Sequence, residues 1–138
     1  MKALASALIL SAMMCPAFAQ NSPSAHAVIA KDMKWEPLGG GFEISILYVN
    51  PATQATYLII RGPANAHVPR HWHTSNESIT VIKGTFVLGN DGSEDKVELT
   101  PGSFGYMPAK MVHEAWTKDE GATYFITVDG KWDVNFVK

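Results

Sequence analysis

Three of the chain's five histidines fall within seven residues, at His67, His71 and His73, and a glutamate follows at Glu77. In a strand, side chains alternate between faces, so His71 and His73 point the same way with Trp72 opposite them. Glu77 keeps that parity provided residues 74–76 do not bulge. Another histidine, His113, sits in a second strand-like run behind a Gly/Pro turn. In a barrel it could close a site from the opposite wall. One histidine in a strand is ordinarily a hydrogen-bonded or exposed residue, but this density asks for more. Three imidazoles and a carboxylate suit Mn, Fe, Co, Ni, Cu or Zn, whereas Ca and Mg prefer oxygen shells. If such a metal is six-coordinate, two positions stay open for substrate, water or dioxygen, which is what separates a catalytic metal from a structural one.

Other residues could serve the same site. His67 shares the parity of His71 and His73 and is a candidate base, although Pro69 can break the alternation and leave it on the rim. Tyr106 precedes a Pro turn and is a second protonatable candidate. Ile79 and Val81 share the face of Glu77, and Met111 and Ala115 share the face of His113, which gives the ligands an apolar setting. No arginine has their parity, since Arg70 points the other way. A neutral or phenolic organic molecule that chelates through an oxygen fits such a pocket better than a dianionic acid.

The elements that must position these groups read as β throughout. Short apolar runs at 27–30, 42–49, 55–60, 78–88, 96–99, 104–107, 112–117, 123–128 and 132–137 alternate with Gly, Pro, Asn and Asp clusters. Asn90-Asp91-Gly92 reads as a hairpin turn, with glycine supplying a positive φ. Regularly spaced short strands argue for an antiparallel sandwich or barrel. No segment sustains a helical period, and there is no phosphate-binding glycine loop, nucleophile elbow or internal repeat.

Residues 1–19 read as a secretory signal: Lys2 is a positive start, an apolar stretch follows, and Ala17-Phe18-Ala19 is a cleavage site. Cleavage after Ala19 places the protein in the periplasm or outside the cell. Residues 20–26 would be a flexible lead and 27–138 a single domain. The only cysteine, Cys15, leaves with the signal, so neither a disulfide nor a thiolate ligand is expected. Lys2 is the only charge in the leader, so its loss moves the formal charge from −2 to −3. That balance excludes a nucleic-acid footprint and a polybasic membrane patch. No stretch of the mature chain is long and apolar enough to span a bilayer.

The spacing also carries a resemblance. His71, His73, Glu77 and Gly84 read H-x-H-x3-E-x6-G, and Gly102, Pro108 and His113 read G-x5-P-x4-H. Together they resemble the two signature motifs of the cupin superfamily, over roughly residues 40–130. The resemblance implies an antiparallel jelly-roll barrel, or double-stranded β-helix, with His71, His73, Glu77 and His113 as metal ligands. Three family positions differ, with Asn65 and Lys110 where glycines are expected and Thr117 where an asparagine is expected. Similar cupins are often dioxygenases or oxidases, and less often isomerases or hydrolases; related folds also bind metals or small ligands without turnover. The expectation is therefore an exported metal-dependent oxidoreductase acting on a small organic molecule, with one divalent Mn, Fe, Ni, Cu or Zn. Metal taken up after export would favour copper and zinc on affinity. A homodimer paired through residues 28–35 is expected, as in many cupins. A transcriptional or anti-sigma role is not, because neither a helix-turn-helix nor a zinc-binding extension is present.

Overall fold

The structure, a computed structural model, describes residues 24–138. The leader and its cleavage site lie outside the described residues. Within them the chain forms one 3₁₀ turn, Ala30–Asp32, and nine strands. The strands are β1 (Glu36–Gly39), β2 (Phe42–Val49), β3 (Thr56–Gly62), β4 (His67–Trp72), β5 (Glu77–Asn90), β6 (Lys96–Leu99), β7 (Phe104–Met107), β8 (His113–Val128) and β9 (Asn135–Phe136). Every pairing is antiparallel. The chain is the all-β jelly-roll barrel that the motifs imply.

Two long strands organise it. The first half of β8 pairs with β4 and with the end of β5, while its second half pairs with β3 and with the start of β5. Both strands turn a corner at the same level. Gly84 lies opposite Ala122, and Gly84 and Gly121 have φ of +72° and +70°. A Cβ on Gly84 would come within 2.0 Å of the Gly121 carbonyl oxygen, so neither the backbone conformation nor the space admits a side chain. The corner changes the parity of β8: residues 113, 115 and 117 face inward before it, and 124, 126 and 128 after it. Sequence reading splits this strand at Glu120-Gly121. The chain runs through instead, because a positive-φ glycine can kink a strand without ending it.

Two other runs differ from expectation. Residues 27–30 form no strand, and the 132–137 run keeps only the two residues of β9. The turn at Asn90-Asp91-Gly92 is as expected, with Gly92 at φ +73° between β5 and β6.

The core is one cluster, with Leu58, Ile79, Val81 and Met107 fully buried. Ile79, Val81 and Ala115 point inward as their parity requires, and Met111 packs against the cluster's edge. Truncating a fully buried leucine such as Leu58 to alanine would cost about 2–5 kcal/mol. This rigid wall is what holds the polar residues described next.

Candidate metal centre

His71 lies near the end of β4, and the strand stops at Trp72. His73 therefore belongs to a turn, residues 73–76, that reverses the chain into β5, where Glu77 is the first residue. The reversal, not strand parity, brings Glu77 beside His73. The turn is pinned on both flanks. Asp133 accepts from the backbone N–H and the hydroxyl of Thr74, and Asp129 accepts from the backbone and side-chain N–H groups of Asn76. From the β7–β8 loop, Ala109 N–H donates to Asn76 Oδ1 and Lys110 N–H to the His73 carbonyl.

His113 opens β8 and is the direct register partner of His71 on β4. Their ring centroids are 4.2 Å apart. Sequence reading places His113 across the interior, but it comes from the adjacent strand. The candidate ligand nitrogens of His71, His73 and His113 all lie within 4.8 Å of one another, and all three residues are buried. Each Nδ1 meets a backbone carbonyl: Pro69 at 2.7 Å from His71, Met111 at 3.1 Å from His113, and Asp133 from His73. An imidazole that donates from Nδ1 presents the lone pair of Nε2, the form a metal takes.

Glu77 lies outside that 4.8 Å set but abuts it, with Oε2 2.9 Å from His73 Nε2. The contact is close yet not aligned as a hydrogen bond, so both atoms are buried without a partner. Native structures rarely leave buried polar atoms unsatisfied, since each costs about 1–3 kcal/mol. A cation between the converging groups would satisfy both atoms, so the donor set fits a transition metal.

Burial, then the neighbouring His113, pushes the His71 imidazole down to about 4. Burial lowers His113 as well. For His73 burial is again the largest influence, but the Glu77 carboxylate and the Asp133 carbonyl outweigh it and leave the group raised. Two of the three imidazoles are thus held neutral, as ligation requires.

The cluster borders a cavity of about 440 Å³, within the usual size of small-molecule sites. Its lining is mostly apolar and includes Leu38, Phe42, Phe86, Ala115 and Ile126. Among the described residues, no lysine or arginine lines it. His67 reaches only its edge. The side chain is 45% exposed, bonds to Glu114 at 3.0 Å and stacks on Trp116, because the β4 register shifts between Val68 and His71. Tyr106, by contrast, is 53% exposed and does not line the cavity. Met107, not Tyr106, pairs with Glu77, so the tyrosine takes the outward face with its partner Ser78. Tyr124 is the phenol that does line the cavity, and burial followed by the charge of Glu77 raises its pKa. Sequence reading misses it because the corner at Gly121 shifts the strand's parity. Trp132, Val134 and Phe136, read only as a strand-like run, also line the cavity.

The three departures from the family pattern have physical readings. Asn65 and Lys110 sit at φ +53° and +65°, the left-handed conformation that explains the expected glycines. Lys110 is exposed and does not line the cavity. Thr117 is buried; its hydroxyl donates to the Pro63 carbonyl and accepts from the Ala66 N–H, closing the loop before β4.

Residues 23–130 match a family described as the ChrR cupin-like domain. A curated relative, a DNA damage-repair/toleration protein of Arabidopsis thaliana, is 31% identical over 108 residues, which are 77% of this chain and 33% of that protein. The chain thus spans about a third of that relative's length. Among solved structures, an RmlC-like cupin from Shewanella frigidimarina superposes with a TM-score of 0.67 at 22% identity, over 78% of this chain and 94% of that one. A polyketide cyclase from Streptomyces resistomycificus gives 0.70 at 20% identity, over 83% and 87%. At these identities the likeness establishes the fold.

Proposed function

The chain belongs to the ChrR cupin-like family of the cupin superfamily, and from that premise we propose that His71, His73, Glu77 and His113 hold one divalent transition metal in an exported oxidoreductase. The proposed chemistry is of the dioxygenase or oxidase type, on a small neutral or phenolic molecule. One observation carries the metal reading: His73 Nε2 and Glu77 Oε2 are buried and unsatisfied beside two further imidazoles, at the edge of an apolar cavity. When bound, the metal supplies Lewis acidity and open coordination positions.

The chain's own residues do the rest. The carbonyls of Pro69, Asp133 and Met111 hold the three imidazole rings in place. The mostly apolar lining favours an uncharged ligand. Burial and the charge of Glu77 raise the Tyr124 pKa, so its phenol stays protonated at neutral pH and its O–H can donate a hydrogen bond to a substrate oxygen. Export rests on the leader at residues 1–19.

A second reading is a periplasmic protein that binds a metal or ligand without turnover. It is favoured by the positions of His67 and Tyr106, which leave Tyr124 as the lone protonatable side chain among the described residues in the cavity besides the four proposed ligands and the rim histidine. An isomerase or hydrolase ranks third.

The test is elemental analysis of protein recovered from the periplasm, with His73→Ala as control, followed by oxygen uptake on phenols, diketones and hydroxy acids. About one iron, manganese, nickel or copper per chain, lost in the variant, with uptake on any substrate, supports the oxidoreductase. The same metal without uptake supports the binding protein. Zinc shifts the weight to isomerisation, hydrolysis or storage, and no metal in either protein breaks the reading.

A further inference from the structure

The C-terminal segment, residues 131–138, follows the last long strand and returns across the site. Its β9 pairs with β4 so that Phe136 stands opposite the proposed ligand His71, with ring centroids 6.0 Å apart. Trp132, Val134 and Phe136 alternate in sequence and all line the cavity. The intervening residues anchor the segment. Asp133 grips Thr74 through its carboxylate and His73 through its carbonyl, and Asn135 Nδ2 donates to the Trp72 carbonyl. Phe136 is 60% exposed although its neighbours in the site are buried. An exposed aromatic at the edge of an apolar concavity is suited to a ligand face.

We propose that Trp132, Val134 and Phe136 form a specificity-determining wall that selects a flat aromatic ligand, with Asp133 as the residue that positions the wall against the site. The selection rests on the metal reading above, because a ligand oxygen must reach the proposed centre while its ring lies on the wall. Rings prefer offset or edge contacts with centroids about 4.5–7 Å apart, and such contacts are directional in a way that aliphatic packing is not. Size alone would not discriminate between chelators; the wall would.

The experiment uses the full mature chain loaded with Co(II). It measures affinity for two oxygen chelators, 4-nitrocatechol, which carries a ring, and acetohydroxamate, which does not. Phe136→Ala is expected to weaken 4-nitrocatechol about tenfold and to leave acetohydroxamate within about twofold, with Co(II) affinity unchanged. Asp133→Ala is expected to reproduce that loss, and Asp133→Asn, which keeps an acceptor for Thr74, to restore most of it. Equal losses for both chelators, or none for either, would overturn the wall. Failure of the metal reading shows separately, as a wild-type protein that takes up no Co(II). The wall is then judged on the metal-free protein by tryptophan quenching with 2-naphthol, where binding lost in Phe136→Ala supports it and binding unchanged refutes it.

Discussion

The described residues carry two histidine–glutamate pairs of nearly equal length, His73–Glu77 at 2.9 Å and His67–Glu114 at 3.0 Å. They have little else in common. His67–Glu114 is a well-formed hydrogen bond on the outside of the barrel, half open to water, with the imidazole stacked on Trp116 and Lys96 also over that indole. His73–Glu77 is almost fully buried, and its atoms are close without being aligned. The difference teaches that distance alone does not identify a site. The exposed pair satisfies itself; the buried pair does not, and the proposed metal would meet its unmet demand. Both pairs lie within the same strand system, so the β4 register shift after Val68 decides which histidine becomes which.

The sharpest way to break that comparison is to remove members of each pair and measure bound metal. His73→Ala and Glu77→Gln should lower metal affinity at least about a hundredfold, the upper end of what even outer-shell changes cost. His67→Ala and Glu114→Gln should leave it within about twofold. A His67 variant that loses metal would mean that the outer pair belongs to the site. Chelation offers the next largest effect. A ligand that binds only the folded state at a hundred times its Kd stabilises by about 2.7 kcal/mol. Removing the metal with EDTA should therefore lower Tm by about 10 °C for a domain of this size, reversibly. The shift should persist in His67→Ala and vanish in His73→Ala, as read by calorimetry.

Much of the buried region was legible in sequence. The order and spacing of His71, His73, Glu77 and His113 pick out the residues that converge, and alternation places Ile79, Val81 and Ala115 inside. What was not legible has physical causes. A backbone carbonyl carries no residue-type signal, so the grip of Asp133 on His73 leaves no trace in composition. A bent strand changes phase at Gly121, so Tyr124 cannot be placed by counting from His113. Tyr106 lies on a strand whose register against Glu77, not its own sequence, sends it outward. Asn65 and Lys110 were visible as departures, but their left-handed backbone was not. Lys110→Gly should relieve that strain and stabilise the protein by up to about 1 kcal/mol, without changing metal content. Asn65→Gly should gain less, because asparagine tolerates the conformation. Denaturant titration reads both, and a destabilised Lys110→Gly would mean that the lysine side chain makes a contribution that its exposure conceals.

The smallest effect tests the outer pair alone. A double-mutant cycle on His67→Ala and Glu114→Ala removes the stacking on Trp116 from the result, because that loss occurs in both arms that contain the histidine change. What remains is the coupling between imidazole and carboxylate. For a pair this exposed it should be about 0.2–1 kcal/mol. It should shrink further at 1 M salt, where the screening length is about 3 Å. The buried pair should behave in the opposite way in the metal-free protein: truncating His73 removes the partial compensation that its close imidazole gives the buried Glu77 carboxylate, a cost of about 3–5 kcal/mol that salt does not relieve. If the outer cycle returned a coupling of that size, or one insensitive to salt, the two pairs would be alike in kind. Burial and misalignment would then no longer distinguish the proposed metal site from an ordinary surface contact.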